Sequence, residues 1–208
     1  MKNKGVLYAL CAGISWGISL GIFGRTMTSF GFTAMQVSAV RTTISAITFI
    51  ILALVTDRKA FRLNPKDIWI FLCSGFISVT LFCWCYFTST RLCSLAVGGV
   101  LQYTAPVWVV VFSAVIFKEP ITKVKAAAML VAIAGCVLVS GITHGVGQVS
   151  AFGLVAGVFS GITYGSYTIF TRFAVPKYRT MTINVYTFIV ASATSLLLSG
   201  PVKTVSAV

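Results

Sequence analysis

The sequence predicts an all-α integral membrane protein, on the basis of its low charge and the spacing of its apolar runs. Of 208 residues, 58% are hydrophobic and 9% are charged, whereas soluble domains have about 25% charged residues. Apolar runs of about 20 residues match the hydrocarbon thickness of a bilayer, where a helix satisfies its own backbone. Seven such runs are predicted to span the membrane, at residues 5–24, 33–55, 68–88, 95–117, 125–142, 151–170 and 182–199.

The distribution of positive charge predicts the orientation. Twelve of the 16 Lys and Arg residues precede the first span or lie in alternate loops after it, three lie in the remaining loops, and Arg41 is inside a span. Because cytoplasmic loops carry the excess of Lys and Arg, we expect a cytoplasmic N-terminus and an outside Val208 in a plasma or inner membrane. The net charge of +13 therefore reflects topology. We expect no nucleic-acid partner, since no basic patch is interleaved with exposed aromatic residues.

An internal repeat divides the chain. A shift of 148 residues aligns "GISWG" at 13–17 with "GITYG" at 161–165, and the second span with the seventh. Five spans, an odd number, separate the copies, so the second copy enters the membrane from the opposite side. Many secondary transporters have such inverted repeats, with the substrate site near the midplane between them. The sequence thus predicts an inverted five-helix repeat, complete over 1–147 with five spans and partial over 148–208 with two.

Glycines four residues apart line one face of the first and sixth spans. Small residues let membrane helices approach each other closely, so these faces are predicted to pack against other helices. The glycines are Gly13, Gly17 and Gly21 in the first span and Gly157, Gly161 and Gly165 in the sixth.

Four segments resemble the EamA domain of the drug/metabolite transporter superfamily. "LQYTAPVWVVVFSAVIFKEPIT" at 101–122 resembles its fourth helix, with Pro106 inside and Glu119 at the cytoplasmic end. "AMLVAIAGCVLVSG" at 128–141 is similar to its fifth helix, and the two glycine motifs resemble its repeat openings. The resemblance implies two inverted five-helix repeats that move small metabolites, amino acids or drugs.

Compared with that pattern, the chain holds five spans plus two, so it is expected to be a truncated transporter. One alternative is a seven-span product that completes its pore as a homodimer. Another is a non-transporting truncated subunit or fragment that works only with a partner.

Polar groups within the spans indicate where a substrate could pass, because they are costly in lipid. Arg41 lies about 12 Å into its span at 1.5 Å per residue. It is either a charge partner for an anionic or carboxylate-bearing substrate, or an arginine that snorkels outward or caps carbonyls of neighbouring helices. Pro106 leaves the Gln102 carbonyl without a partner and predicts a kink, which either binds a polar ligand or only shapes packing. The predicted pathway residues are Arg41, Gln102, Tyr103, Pro106, Trp16, Tyr164, Tyr167 and Tyr86.

Enzyme chemistry, a cofactor and a metal site are not expected. Acid–base or metal chemistry needs clustered His, Asp or Glu, but the single histidine, His144, is predicted in an outer loop, away from the acids. The cysteines are interpreted as small apolar residues.

The three acids, Asp57, Asp67 and Glu119, are all predicted in cytoplasmic loops. Exporters of cationic drugs commonly use an acid within the membrane, so that class is disfavoured. The expected function is secondary transport of small polar metabolites, such as amino acids, by alternating access, with export as the direction. Substitution of Arg41 or Gln102 by Ala is expected to abolish it.

Overall fold

The computed structural model describes residues 2–139 and 150–200, and in this part the chain is helical without strands. Helices form at all seven predicted positions. Three residues of the predicted outer loops and C-terminus, His144, Lys203 and Val208, lie outside the described residues. The helices are α1 (2–29), α2 (Ala34–Thr56), α3 (Pro65–Leu92), α4 (Leu95–Phe117), α5 (Lys123–Val139), α6 (Ala151–Ala174) and α7 (Thr180–Ser199).

Four of these helices, α2, α3, α4 and α7, are long and apolar enough to cross a membrane by length and composition alone. The sequence predicts seven spans. α6 is 24 residues long, but its glycines and its Ser, Thr and Tyr side chains dilute its apolar content.

The helix starts follow from local side-chain caps. At α2, the Gln36 backbone N–H donates to Thr33 Oγ1, and the Thr33 backbone N–H donates to Gln36 Oε1 at 2.8 Å. Such a capping box satisfies two backbone donors that the first helical turn leaves free. Ser94 and Ser150 cap α4 and α6 more simply, each by accepting one backbone N–H at its hydroxyl oxygen, from Val97 and Gly153 respectively.

Two helices contain π-helical turns, which are rare and often lie at functional sites. In α1 the π-helical stretch is Gly17–Ile22, and in α3 it is Ser74–Leu81. Helix α4 is interrupted instead: it runs to Gln102 and resumes at Ala105, with Pro106 in the first turn of its second half. The interruption lies where Pro106 predicts a kink.

Helices α2 and α7, which the 148-residue shift aligns, pack along each other. Two hydroxyl pairs join them, Thr42 with Ser195 and Thr43 with Ser192, each at 2.8 Å. Such hydrogen bonds hold helices together in lipid, where apolar contact alone gives little preference for another helix.

The glycine faces of α1 and α6 differ in their surroundings. A Cβ added at Gly161 would overlap Thr104 Oγ1 and lie 3.1 Å from the Leu101 carbonyl oxygen, so α6 lies directly against α4. Gly157 and Gly165 face α4 in the same close manner. A Cβ added at the three α1 glycines, Gly13, Gly17 and Gly21, would meet nothing within 4 Å. The close packing expected for α1 is therefore absent within the described residues, because no described helix lies against that face.

Ion pairs gather three basic loops at one end of the bundle. Each of the three acidic side chains in the chain pairs with a cation in or beside the α6–α7 loop. The pairs are Asp57 with Arg179 at 2.9 Å, Asp67 with Lys177 at 2.7 Å and Glu119 with Arg172 at 2.6 Å. The loops assigned to one side by their charge therefore do lie together.

Candidate substrate site

A cavity of about 260 Å³ lies between α1, α2, α3, α6 and α7. Six of its nine lining residues are aromatic, and one carries a charge. The lining consists of Trp16, Arg41, Phe49, Ser78, Val79, Phe82, Tyr164, Tyr167 and Phe188. The cavity therefore offers an apolar, aromatic surface with a single cation.

Neutral neighbours hold Arg41, which is 9% exposed. Its Nε donates to Ser19 Oγ at 2.8 Å, and its Nη1 donates to Cys83 Sγ at 2.9 Å. Its Cζ lies 5.5 Å from the centre of the Trp16 ring, within cation–π range. Because partners on α1 and α3 hold this side chain inside the bundle, Arg41 does not snorkel outward.

The charge of Arg41 has no carboxylate to balance it. All three acidic side chains pair with cations of the α6–α7 region instead. Buried charges in proteins are normally paired, because desolvating an isolated ion costs several kcal/mol. A guanidinium has five N–H donors, and its bonds to Ser19 and Cys83 use two of them. Arg41 therefore keeps both charge and hydrogen-bonding capacity for a ligand.

Aromatic rings build the rest of the cavity. Tyr164 contacts Trp16 with ring centres 5.7 Å apart and Phe82 with ring centres 5.2 Å apart. Phe49 stacks on Phe188 at 5.2 Å. Trp16 and Tyr164, which the internal repeat aligns, thus meet each other at the cavity.

Two polar contacts fix side chains of α6 beside the cavity. The Tyr167 hydroxyl donates to Asn184 Oδ1 at 3.3 Å, and Ser78 Oγ lies 2.7 Å from Ser166 Oγ. Besides the guanidinium, the lining residues carry the hydroxyls of Ser78, Tyr164 and Tyr167 and the indole N–H of Trp16.

The cavity brings together four of the eight predicted pathway residues: Arg41, Trp16, Tyr164 and Tyr167. The other four lie elsewhere. Gln102 is buried in α4, and Tyr103 beside it is 70% exposed. Pro106 is exposed and borders a second groove of about 390 Å³, which shares Tyr164 with the cavity. Tyr86 is buried, with its ring 6.0 Å from that of Phe82.

Sequence reasoning missed several residues of this site. Phe49, Val79, Phe82 and Phe188 line the cavity, and apolar residues of this kind are found throughout the spans, so nothing distinguishes them in sequence. Ser78 was missed as well, because serines are also common in the spans. Cys83, interpreted as an apolar residue, accepts a hydrogen bond from Arg41. The sequence did offer one indication of this role for Cys83. An arginine within a span, with no acid in any span, must find neutral hydrogen-bond acceptors.

The site contains no arrangement of metal ligands among the described residues. The three acids lie at the basic end of the bundle, where they are already paired. The arrangement can bind a small molecule, and it shows no nucleophile, acid or base placed for chemistry within the described cavity lining.

Helical bundles with a substrate site between their halves occur in many secondary transporters. The chain belongs to the EamA-like transporter family, whose family model matches residues 3–141, about two thirds of its length. Comparison with curated proteins and with solved structures found no match. The protein is thus an integral membrane transporter of the drug/metabolite superfamily, with a small-molecule substrate and the lipid bilayer around it.

Proposed function

We propose that this protein is a secondary transporter that moves small polar metabolites across the plasma or inner membrane by alternating access. The N-terminus lies in the cytoplasm, and export is the direction. The observation that carries the proposal is Arg41, a buried cation without an acidic partner that lines a cavity inside the bundle.

The position of the cavity supports alternating access. It lies between α1, α2 and α3 from the proposed first repeat (1–147) and α6 and α7 from the proposed second (148–208). In transporters built from inverted repeats, one repeat rocks against the other around a central site. The contact between Trp16 and Tyr164, one from each repeat, lies on that boundary.

The ion pairs at the basic end support the same mechanism. They tie loops of the first repeat to the α6–α7 loop of the second. Arg172 donates a hydrogen bond to Glu119 and thereby holds the pKa of that carboxyl below its usual range. Glu119 is therefore ionised at neutral pH. Opening the cavity toward this end requires these links to separate.

Transport by the purified protein in liposomes tests the proposal, with a panel of metabolites inside and labelled counterparts outside. Arg41→Ala is expected to lose exchange, because the substrate loses its charged partner. Arg91→Ala, which removes an exposed cation outside the cavity, is the control and should exchange normally. Normal exchange by Arg41→Ala would contradict the site.

The substitution Gln102→Ala tests whether the substrate pathway extends beyond the cavity. Gln102 lies at the interruption of α4 and not in the cavity lining, yet the sequence predicts it as a pathway residue. Lost exchange with normal protein levels would place the α4 interruption on the pathway. Normal exchange would restrict the substrate site to the cavity around Arg41.

A second candidate is a membrane subunit that works only with a partner, which includes a homodimer. The open glycine face of α1 favours it, because Gly13 and Gly17 are exposed and could receive another helix. Cysteine cross-linking from position 17 in native membranes distinguishes the two. A cross-linked dimer or hetero-complex supports the partner, and an uncross-linked chain that transports in liposomes contradicts it.

A further inference from the structure

We propose that the substrate is a small monocarboxylate with a flat, apolar body, whose carboxylate binds Arg41 and whose body lies against the aromatic walls. This inference rests on the proposed function and names the substrate class for the same cavity. It differs from the expectation of a zwitterionic amino acid.

Charge limits the ligand to a single negative group. Arg41 is the one charged residue in the described lining, so it can balance one carboxylate. A phosphate monoester carries close to two negative charges at neutral pH and would leave one of them without a partner. A cationic or zwitterionic ligand would place an ammonium group in a cavity that already holds an unbalanced cation.

The held geometry of Arg41 suits a carboxylate. Its bonds to Ser19 and Cys83 come from α1 and α3, so the guanidinium is fixed before a ligand enters. A planar guanidinium pairs with a carboxylate through two parallel hydrogen bonds. Fixing one partner in advance reduces the entropy that binding must overcome.

The walls suit a flat body. Ring centres around Tyr164 lie 5.2 and 5.7 Å from their neighbours, in the range that aromatic groups prefer. An aromatic ring entering the cavity can make the same contacts with Trp16 or Phe82.

The volume of the cavity limits the size of the ligand. The cavity volume of about 260 Å³ falls just below the range of about 300–1,000 Å³ for pockets that hold drug-sized ligands. A single ring with a short carboxylate arm suits this space better than a nucleotide or a disaccharide does.

Binding of four related probes to the purified protein in lipid nanodiscs, measured by calorimetry, tests the charge. The probes are phenylacetate, its neutral amide, phenylalanine as the zwitterion, and phenyl phosphate as the dianion. Phenylacetate is expected to bind about tenfold tighter than the amide, because the amide lacks the negative charge that balances the guanidinium and strengthens the hydrogen bonds between them. Equal affinity for the amide, tighter binding of phenylalanine or phenyl phosphate, or no binding of phenylacetate would overturn the inference.

Two variants test which side chains bind the carboxylate and which contact the apolar body of the ligand. Arg41→Gln is expected to remove the preference for phenylacetate over its amide, and gel filtration checks that it is folded. Trp16→Leu, on a side chain that is 38% exposed, is expected to weaken phenylacetate several-fold while retaining the preference for charge. If both variants bind all four probes as the unsubstituted protein does, the site assignment is overturned.

Exchange in liposomes separates this inference from the function on which it rests. Exchange of phenylacetate that Arg41→Gln abolishes supports both. Arg41-dependent exchange of phenylalanine or another metabolite, with no exchange of phenylacetate, overturns the substrate class and retains the transporter. Tight binding of phenylacetate without exchange of any compound supports the ligand class and contradicts the transporter.

Discussion

Arg41 depends on neutral acceptors, which is uncommon for a buried cation. Ser19 Oγ and Cys83 Sγ accept its hydrogen bonds from two different helices. Each acceptor replaces part of the hydration that the guanidinium loses on burial, and neither neutralises it. The residue is thereby held in place and still carries a charge that a substrate can meet.

Cys83 contributes through its sulfur as an acceptor, and substitution can measure this. Cys83→Ala removes the acceptor and leaves an N–H of a buried cation unpaired, at a cost of about 1–3 kcal/mol. Cys83→Ser retains an acceptor of similar size, so its stability should be close to that of the unsubstituted protein. Thermal unfolding in detergent measures both.

The two Cys83 variants distinguish a hydrogen-bonding role from simple filling of space, because the two roles predict opposite orders of stability for the Ser and Ala variants. If Cys83 only filled space, Ala would be tolerated at least as well as Ser, because the buried serine would bring a hydroxyl into an apolar site. A less stable Ser variant than Ala variant would contradict the hydrogen-bonding role.

The two glycine-bearing helices show how one motif can have two environments. On α6, Gly161 allows the backbone of α4 to approach, with the Leu101 carbonyl oxygen 3.1 Å from the position of an added Cβ. On α1, the aligned Gly13 has no such neighbour in the described part of the chain. The glycine motif allows another helix to approach closely, but whether the helices are in close contact depends on which helix packs beside it.

Alanine substitution at the aligned pair tests this difference. Gly161→Ala is expected to destabilise the protein by about 1–3 kcal/mol, because its methyl group has no room against α4. Gly13→Ala should leave stability unchanged or raise it by up to about 1 kcal/mol, since Ala favours helix more than Gly does. Thermal unfolding of the two variants gives the comparison. A destabilised Gly13→Ala would show that α1 does pack closely through that face.

Elements were more predictable from the sequence than the site was. Apolar length located all seven helices, and Pro106 located the break in α4. Arg41, Trp16, Tyr164 and Tyr167 were predictable because polarity or the repeat distinguished them. Phe49, Phe82 and Phe188 were not, because an apolar ring facing a cavity and one facing lipid have the same sequence signal. The position of Gln102 outside the cavity depends on how α4 packs, which no local pattern encodes.

At the scale of the whole molecule, the acids and the cavity have separate roles. The three acidic side chains hold the basic end of the bundle together, while the cavity retains one unbalanced positive charge. Arg172 also lies over the Phe117 ring, with its Cζ 4.1 Å from the ring centre. The end of α6 and the α6–α7 loop are therefore held against the α2–α3 and α4–α5 regions by contacts that are partly exposed.

Acid should weaken the stabilisation that these ion pairs give to the folded protein, because the pKa values of their carboxyl groups are lowered in the folded state. Hydrogen bonds from Arg172 and Arg179 lower the pKa of Glu119 and of Asp57 from their usual values of 4.5 and 3.8. Groups with a lowered pKa in the folded state stabilise it fully above the unfolded pKa, and that contribution is lost as pH falls through the folded pKa. The ion pairs should therefore be intact at pH 7 and weaken below about pH 4.5.

Unfolding temperatures in detergent between pH 7 and pH 3.5 measure the effect, with a variant carrying Asp57→Asn and Glu119→Gln beside the unsubstituted protein. The variant should be slightly less stable at pH 7, since partly exposed ion pairs contribute little, and the difference should become smaller toward the acid end, where pH approaches the folded pKa values. Lys66→Gln, an exposed charge change at the same end that breaks none of these ion pairs, should follow the unsubstituted curve. A constant difference across the whole range would show that the two carboxylates are not linked to folding through their ion pairs.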